Sequence, residues 1–195
     1  HSWEASINNR SQGKGCPYCA NQKVLVGFND LKSKYPEIAS EAHDWDPSTV
    51  TSASGMKMSW KCPRNHVWQS RVSNRTILGR GCPYCTNREV WTGFNDLATL
   101  HPAIAKEAYG WDPSTMVAGS HTKKSWRCHQ GHTWQATIKS RSDGRGCPYC
   151  ANREVWTGFN DLATLHPAIA READGWDPSL ITAGNGKKLR WKCSQ

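Results

Sequence analysis

The pattern that most constrains this chain is a Cys-x3-His pair followed, after a gap, by a Cys-x2-Cys pair. One copy consists of Cys128, His132, Cys147 and Cys150. Zinc prefers four thiolate or imidazole ligands in a tetrahedron, and two ligand pairs on two tight turns can supply them. Pro148 lies between the last two cysteines and helps to fix the second turn. The spacing therefore predicts a zinc site with four protein ligands.

The same pattern recurs at a period of about 65 residues, which is typical of a repeat architecture. A second complete set consists of Cys62, His66, Cys82 and Cys85. His1, Cys16 and Cys19 match the last three ligands of a set, and Cys193 matches the first ligand of another. We therefore expect two complete zinc sites, and a third that lacks one ligand within its own repeat, in a segment of a longer array. One hypothesis is that Cys193 of a neighbouring molecule, or closure of the chain, supplies that ligand through a head-to-tail contact; water is an alternative fourth ligand. In the intact protein we expect an upstream cysteine to supply it.

The nine cysteines favour metal binding over disulfides, because their number is odd and each falls on the ligand pattern. A redox role for Cys-Pro-Tyr-Cys needs a βαβ setting and leaves the upstream Cys-x3-His pair unexplained. Thiolates kept for metal are typical of a reducing compartment, so we expect a cytoplasmic protein, either nucleoid-associated or viral. No apolar run approaches the roughly 20 residues of a membrane helix, so we expect no membrane contact.

Basic residues cluster around the zinc motifs, whereas the segments between the motifs are mildly acidic. The formal net charge is +9. The basic side chains expected to contact a polyanion are Arg71, Arg75, Arg80, Lys123, Lys124, Arg127, Lys139, Arg141 and Arg145. Such clustering near zinc modules indicates a nucleic-acid partner. The alternative is a solvated face that binds no polyanion.

Alternation of apolar and polar residues predicts a β-hairpin with each Cys-x3-His turn at its tip. The expected first strands are 57–61, 124–127 and 188–192, and the expected second strands are 1–10, 68–72 and 134–138. The Cys-x2-Cys pair then enters from the following loop and closes the site.

Each spacer between zinc motifs carries Gly-Phe-Asn-Asp-Leu, as at residues 93–97. Asn95 as the cap, with Asp96 in the first turn, predicts a helix start. That helix ends before Pro102, which suits the first position of a second helix from Pro102 to Ala108. Residues 88–105 and 153–170 are identical, which indicates duplicated, equivalent units.

Four tryptophans flank the two complete metal motifs: Trp60, Trp68, Trp126 and Trp134. We expect them to pack as a small core over the zinc sites; the alternative is a stacking platform for bases. His129, next to Cys128, is an alternative ligand to His132. The spacing of His132 recurs at His66 and His1, so His132 is the expected ligand.

Three motifs together resemble the repeated "probable zinc-ribbon" or treble-clef domain of bacteria, phages and large viruses. They are the Trp-x-Cys-x3-His-x-Trp turn, the Arg-Gly-Cys-Pro-Tyr-Cys turn and the Asn-Asp-Leu…Pro…Trp-Asp segment. The resemblance covers nearly the whole chain. It implies small α+β zinc modules in tandem, each a zinc-knuckle β-hairpin with short helices. It also implies that each of the two complete sets of ligand residues binds zinc. Family members are often arrays, some joined to nuclease-like domains, so DNA binding is implied by association.

On this basis the expected modules are a partial zinc module with its spacer at 1–56, complete modules with spacers at 57–121 and 122–186, and the start of a further module at 187–195. The expected function is nucleic-acid binding, of DNA in particular, through the basic residues around the hairpins, with salt-dependent affinity. One alternative is a zinc-dependent scaffold for protein partners; another is an accessory DNA-binding segment of a larger nuclease. Catalysis by this segment is not expected, because a catalytic zinc keeps an open position and the complete sites have four protein ligands.

Overall fold

Short helices and two β-hairpins make up the chain, for which a computed structural model describes residues 1–193. In chain order the elements are α1 (Ile7–Ser11), α2 (Leu31–Lys34), α3 (Pro36–Ala39), β1 (Lys57–Lys61), β2 (Val67–Arg71), α4 (Val72–Thr76), α5 (Leu97–Leu100), α6 (Pro102–Ala105), β3 (Lys123–Arg127), β4 (Thr133–Thr137), α7 (Ile138–Ser142), α8 (Leu162–Leu165) and α9 (Pro167–Ala170). Single 3-10 turns lie at Pro47–Thr49, Pro113–Thr115 and Pro178–Leu180. The chain divides into two units, His1–Glu89 and the remainder from Val90. Within residues 1–193, every helix is too short or too polar to cross a membrane.

A pair of tryptophans lies at the centre of each antiparallel hairpin. Trp60 of β1 is directly opposite Trp68 of β2, and Trp126 of β3 is directly opposite Trp134 of β4. All four are buried, with at most 9% of the side chain exposed. The indole N–H of Trp126 also donates to the backbone oxygen of Ala136 at 3.0 Å. This burial confirms that the four tryptophans pack the core.

Arg141 ties the hairpin of the second unit to its surroundings. Its guanidinium lies 5.2 Å from the ring centres of both Trp126 and Trp134. It forms an ion pair with Glu107 of the preceding spacer, and Nη1 donates to the backbone oxygen of Arg145. Because a buried charge must be paired and hydrogen-bonded, these contacts hold three chain segments in one arrangement.

Arg75 repeats the arrangement in the first unit. Its guanidinium lies 5.1 Å from the ring centre of Trp60 and 5.3 Å from that of Trp68. It forms an ion pair with Glu41, and Nη1 donates to the backbone oxygen of Arg80 at 2.6 Å. Each unit therefore contains its own copy of the same internal contacts.

The burial of Arg75 and Arg141 corrects the expectation that they face a polyanion, since only 6% and 4% of these residues is exposed. Charge alone does not distinguish a surface arginine from one packed against two indole rings. The Nε atoms of both arginines lack a hydrogen-bond partner among the residues that the structure describes. Each side chain is thus an internal brace of its module.

A short helix follows each second strand where the sequence pattern predicts more strand. Strand β4 ends at Thr137, whose hydroxyl oxygen accepts from the backbone N–H of Ser140 at 3.1 Å and begins α7. Ile138 and Val72, the expected last strand residues, are the first residues of α7 and α4 and are fully buried. A β-branched residue after a strand continues the alternating pattern, so the pattern alone extended both strands by one residue.

The aspartate, not the preceding asparagine, begins each spacer helix. The carboxylate of Asp96 accepts from the backbone N–H groups of Gly93 and Thr99 at 2.6 and 2.8 Å, and from the Thr99 hydroxyl at 2.7 Å. Burial acts to raise the pKa of Asp96, but these hydrogen bonds outweigh it and lower the pKa. Asp30 and Asp161 cap their helices in the same way. The prediction of an asparagine cap is wrong by one residue.

The asparagine instead ties the spacer to the preceding Cys-x2-Cys loop. The side-chain amide of Asn160 donates to the backbone oxygens of Tyr149 and Glu154 at 2.8 and 2.9 Å. Asn29 makes the equivalent bonds to Tyr18 and Lys23. The predicted break at Pro102 is confirmed, whereas the second helix ends at Ala105 and not at Ala108.

Each hydrophobic core joins a spacer to the hairpin that follows it. In the first unit, Leu31, Ala39 and Val50 of the spacer pack with Trp60 and Trp68. In the second unit, the cluster extends from Leu97 to Cys147. The expected boundaries, before residues 57 and 122, fall between a spacer and the hairpin against which it packs. The sequence repeat and the packing unit therefore begin at different places.

The expected strands at both ends of the chain are wrong. Residues 1–6 form no regular element, and α1 begins at Ile7, which is 89% exposed. Residues 188–192 contribute only an isolated bridge between Ala173 and Trp191. A strand needs a paired neighbour to satisfy its backbone groups, and within residues 1–193 neither segment forms a ladder with another.

We expect Arg141→Ala to lower the free energy of unfolding by about 2 kcal/mol or more, because it leaves the Glu107 carboxylate without its partner and opens a gap between two indole rings. Unfolding of the zinc-loaded protein in guanidinium, followed by tryptophan fluorescence, measures the change. The control is Arg145→Ala, which removes the same charge from an exposed position and is expected to stay within about 0.5 kcal/mol. Equal effects of the two substitutions would contradict the internal role of Arg141.

Candidate metal centres

The Cys-x3-His turn is built at the tip of each hairpin. Cys128 follows β3, and its N–H donates to the backbone oxygen of His132 at 3.1 Å, while the N–H of Gly131 donates back to Cys128 at 2.9 Å. Gly131 has φ of +82°, a conformation that glycine adopts without strain. Asn65 takes this place in the other hairpin, with φ of +66°. This turn reverses the chain within five residues and directs Cys and His to the same side.

The Cys-x2-Cys loop is a second tight turn. The N–H of Ala151 donates to the backbone oxygen of Cys147 at 3.2 Å, and the N–H of Arg153 donates to that of Pro148 at 2.8 Å. Asn152 has φ of +53°, which asparagine tolerates better than most residues. The turn exposes Cys150 and buries Cys147. The Cys82–Cys85 loop has the same bonds, from Thr86 to Cys82 and from Arg88 to Pro83.

The two turns bring four ligand atoms together at the Cys128 site. Nδ1 of His132 lies 3.5, 3.8 and 3.4 Å from the sulfurs of Cys128, Cys147 and Cys150. The Cys128 and Cys150 sulfurs are 3.8 Å apart. Bond lengths of about 2.3 Å to sulfur and about 2.0 Å to nitrogen give tetrahedron edges of about 3.8 Å between sulfurs and about 3.5 Å between sulfur and nitrogen. These four distances therefore match the edges of a tetrahedron around one zinc ion.

The Cys62 site has the same dimensions. Nδ1 of His66 lies 3.5, 3.6 and 3.3 Å from the sulfurs of Cys62, Cys82 and Cys85. The sulfurs of Cys62 and Cys85 are 3.8 Å apart, far beyond the 2.05 Å or so of a disulfide. All cysteines of the described chain are free. The two complete Cys3His groups thus fit one zinc ion each, as the sequence pattern predicts.

In each complete site, burial and the neighbouring sulfurs oppose ionisation of one cysteine, Cys150 or Cys85. Partial burial, hydrogen bonds with Cys147 and Cys128 and the charges on those residues raise the pKa of Cys150 to about 12. Burial acts to raise the pKa of Cys128 as well, but hydrogen bonds from the backbone N–H groups of Gln130 and His132 outweigh it and lower that pKa. The equivalent Cys85 and Cys62 behave in the same way. A divalent cation supplies the positive charge that three adjacent thiolates require.

Aromatic rings from the following linker cover the metal-facing histidine. The ring centre of His132 lies 4.3 Å from that of Phe159 and 4.9 Å from that of Trp156. Tyr149 lies 4.8 Å from Trp156 in an edge-to-face contact. Four protein ligands and this cover are typical of a structural zinc site rather than a catalytic one, which keeps a ligand position open.

His1, Cys16 and Cys19 form a third, partial group. Nδ1 of His1 lies 3.6 and 3.5 Å from the two sulfurs, and its ring packs on Phe28 at 4.1 Å. The group is more exposed than the complete ones. Cys193 is exposed, and its role as the missing ligand stays a prediction.

The predicted basic contacts divide into three classes. Five of the nine predicted basic side chains are exposed and have no carboxylate of residues 1–193 within 4.0 Å: Arg71, Arg80, Lys123, Arg127 and Arg145. Lys139 forms an exposed ion pair with Asp143 at 3.0 Å, and Lys124 lies half-buried over the ring of Trp111 at 5.5 Å. Arg75 and Arg141 form the internal class. Five of the nine predicted side chains are therefore exposed cations with no described ion pair.

Glu107 and Glu41 are structural partners that the sequence pattern did not identify. Each lies 34 residues before its arginine. This equal spacing recurs in both repeats, so a search for charges that repeat together would have found the pairs. The predicted basic contacts did not include Arg88 and Arg153, which follow the Cys-x2-Cys turns. Both arginines are exposed. Their side chains donate to the backbone oxygens of Gly81 and Gly146 at 2.8 and 2.9 Å.

Comparison with known proteins agrees with this geometry. The model of a family described as "Probable Treble clef zinc finger domain" matches residues 1–22, 38–88 and 104–153. A protein named "Putative endonuclease" from Escherichia phage T5 is 30% identical over 103 residues, which cover 53% of this chain and 35% of that protein. The matched part of the chain thus spans about a third of the length of that curated relative.

We expect His132→Ala to lower the zinc content by one ion per chain, or to weaken that site so that a chelator removes its zinc first, because one of four ligands is lost. The matched control is His129→Ala, which removes an exposed imidazole three residues away and is expected to leave the zinc content unchanged. Elemental analysis of the purified variants measures both. If only the His129 variant loses zinc, the assignment of His132 as the ligand is wrong and His129 is the ligand.

Proposed function

The chain belongs to the family of probable treble clef zinc finger domains, and from that premise we propose that its zinc-stabilised modules bind nucleic acid, with DNA as the ligand. The closed Cys3His groups serve as staples for modules that have small cores. The surface of each module, rather than its metal, then carries the function.

One observation carries this proposal: five cations around the zinc hairpins, defined above, are exposed and lack a described carboxylate partner. An exposed arginine or lysine without a carboxylate partner, on a hairpin or on the loop before the Cys-x2-Cys turn, is available to a phosphate oxygen. Arg75 and Arg141, which form ion pairs with Glu41 and Glu107, are buried. Those two glutamates therefore do not neutralise the five exposed cations. A basic surface on a chain of net charge +9 attracts polyanions at long range.

A second candidate is an accessory DNA-binding segment of a larger endonuclease. The phage relative that carries the name of an endonuclease extends well beyond the matched residues, which leaves room in that protein for a separate catalytic part. Under this candidate, the described segment binds DNA and does not cut it. Incubation of the segment with plasmid DNA and Mg²⁺ tests this division, and cleavage that survives removal of contaminating nucleases would contradict it.

We expect the affinity of the zinc-loaded protein for a labelled DNA duplex to fall steeply with salt, because each phosphate contact releases counterions. The slope of log K against log salt is expected to be about −2 or steeper, which corresponds to two or more phosphates. A titration followed by fluorescence anisotropy across a salt series measures it, with a single strand of the same sequence in parallel.

The control for that titration is the same protein after a chelator has removed zinc, which is expected to lose binding together with the folded modules. Absence of binding to either DNA at low salt would overturn the proposed function and favour the protein-interaction alternative. Binding that is insensitive to salt would contradict contact with phosphates.

A further inference from the structure

The same open groove occurs beside both complete zinc sites. In the second unit it lies between strand β4, the loop before Cys147 and the residues after Cys150, and Arg145 and Arg153 are among its walls. In the first unit Arg80 and Arg88 hold the equivalent positions. Most lining positions correspond by their distance from the ligand cysteines, so the groove is a property of the repeat.

We propose that each groove holds one backbone phosphate of the bound nucleic acid between its two arginines. This inference rests on the proposed function and specifies which surface of the module makes the contact. Arginine presents several N–H donors in a planar fork that matches the oxygens of a phosphate. Two such forks facing one groove favour a phosphodiester over a neutral ligand.

The charge of the groove fits one phosphodiester. Glu154 lines the groove together with Arg145 and Arg153, so two positive side chains oppose one carboxylate. Glu89 takes the place of Glu154 in the first unit. The net charge of each groove is therefore about +1 at neutral pH, and a phosphodiester carries one negative charge. The carboxylate also limits how tightly the groove holds a single anion.

One arginine of each groove, Arg153 or Arg88, is held in place before any ligand arrives. Nη2 of Arg153 donates to the backbone oxygen of Gly146 at 2.9 Å. Arg88 is held twice, by Gly81 at 2.8 Å and by the hydroxyl of Thr86 at 3.0 Å. A guanidinium has five N–H donors, so others remain for a ligand. Side chains already restrained lose less entropy on binding.

The internal arginines position the other wall of the groove. Arg141 donates to the backbone oxygen of Arg145, and Arg75 donates to that of Arg80. The buried brace between two tryptophans therefore fixes the loop that carries an outward arginine. Arg75 and Arg141 are positioning residues for the groove, although their own side chains do not reach its surface.

The groove contacts the backbone and not the bases. Its lining tryptophan, Trp134 or Trp68, is at most 9% exposed and offers no open ring face on which a base can stack. We therefore expect little dependence on base sequence.

The test compares paired substitutions of equal charge. The groove variants are Arg145→Gln with Arg153→Gln, and Arg80→Gln with Arg88→Gln; the control is Lys187→Gln with Lys188→Gln, two exposed lysines outside both grooves. Each groove variant is expected to bind a labelled duplex about tenfold more weakly, as for loss of a charge-assisted contact. Each is also expected to reduce the salt slope by about 0.9, the value for one phosphate. The control is expected to change affinity by less than about twofold.

A substitution in the opposite direction keeps the test independent of any loss of folding. Glu154→Gln removes the carboxylate that repels a phosphate, so we expect tighter duplex binding and an unchanged zinc content. Weaker binding by this variant, with zinc retained, would overturn the assignment. Zinc content and the circular dichroism spectrum of each groove variant establish that its modules are folded.

The outcomes separate this inference from the proposed function. If the unsubstituted protein fails to bind DNA at low salt, the function itself is wrong. If it binds, and the groove variants match the lysine control in affinity and salt slope, the function stands and the groove assignment fails. A groove that instead binds poly-glutamate, with DNA affinity unchanged in the variants, would assign it to an acidic protein partner.

Discussion

Convergence of three thiolates and one imidazole on a single cation is the interaction on which each complete module depends. Elements of at most five residues have little stability of their own, since short helices and isolated hairpins are marginal in water. The edges of 3.3–3.8 Å between ligand atoms require that both turns be formed at once. Zinc binding, on the order of 10 kcal/mol for a structural site, therefore links folding of the hairpin to folding of the loop that closes it.

Around this staple, each module uses a buried arginine as its second organising contact. Arg141 and Arg75 each bridge two indole rings, a glutamate of the spacer and the loop before the Cys-x2-Cys turn. Burying a charge costs free energy, and the cost is offset only when the partners are fixed. The same contact that stabilises the core thus also specifies how spacer, hairpin and loop meet. One arginine of each complete module is therefore buried for a structural reason, whereas others in the same module are exposed to solvent.

Division of labour between metal and surface follows from this architecture. A zinc ion with four protein ligands has no position for a substrate, and its aromatic cover encloses the histidine. Under the proposed function, a partner contacts the outward basic surface, where the internal arginine of each module holds the loop that carries one of the two groove arginines. Small modules that repeat along a chain gain affinity for a long ligand through effective concentration. The proposed binding to a polymer of phosphates therefore requires only a modest contact in each module.

The sequence by itself determined the ligand sets, the repeat, the hairpins and the helix break at Pro102, because ligand spacing, alternation and proline geometry are local properties. It did not determine that Asp96 rather than Asn95 caps the spacer helix, that Ile138 begins a helix, or that the strands expected near residues 1–10 and 188–192 do not form. These depend on which partner a backbone group or side chain finds. Tertiary structure alone decided which arginines are internal, since Arg141 and Arg145 differ in sequence only by position but one lies between two tryptophans opposite Glu107 and the other faces solvent. Distance along the chain does not encode that difference, because the partners come from segments 34 residues apart.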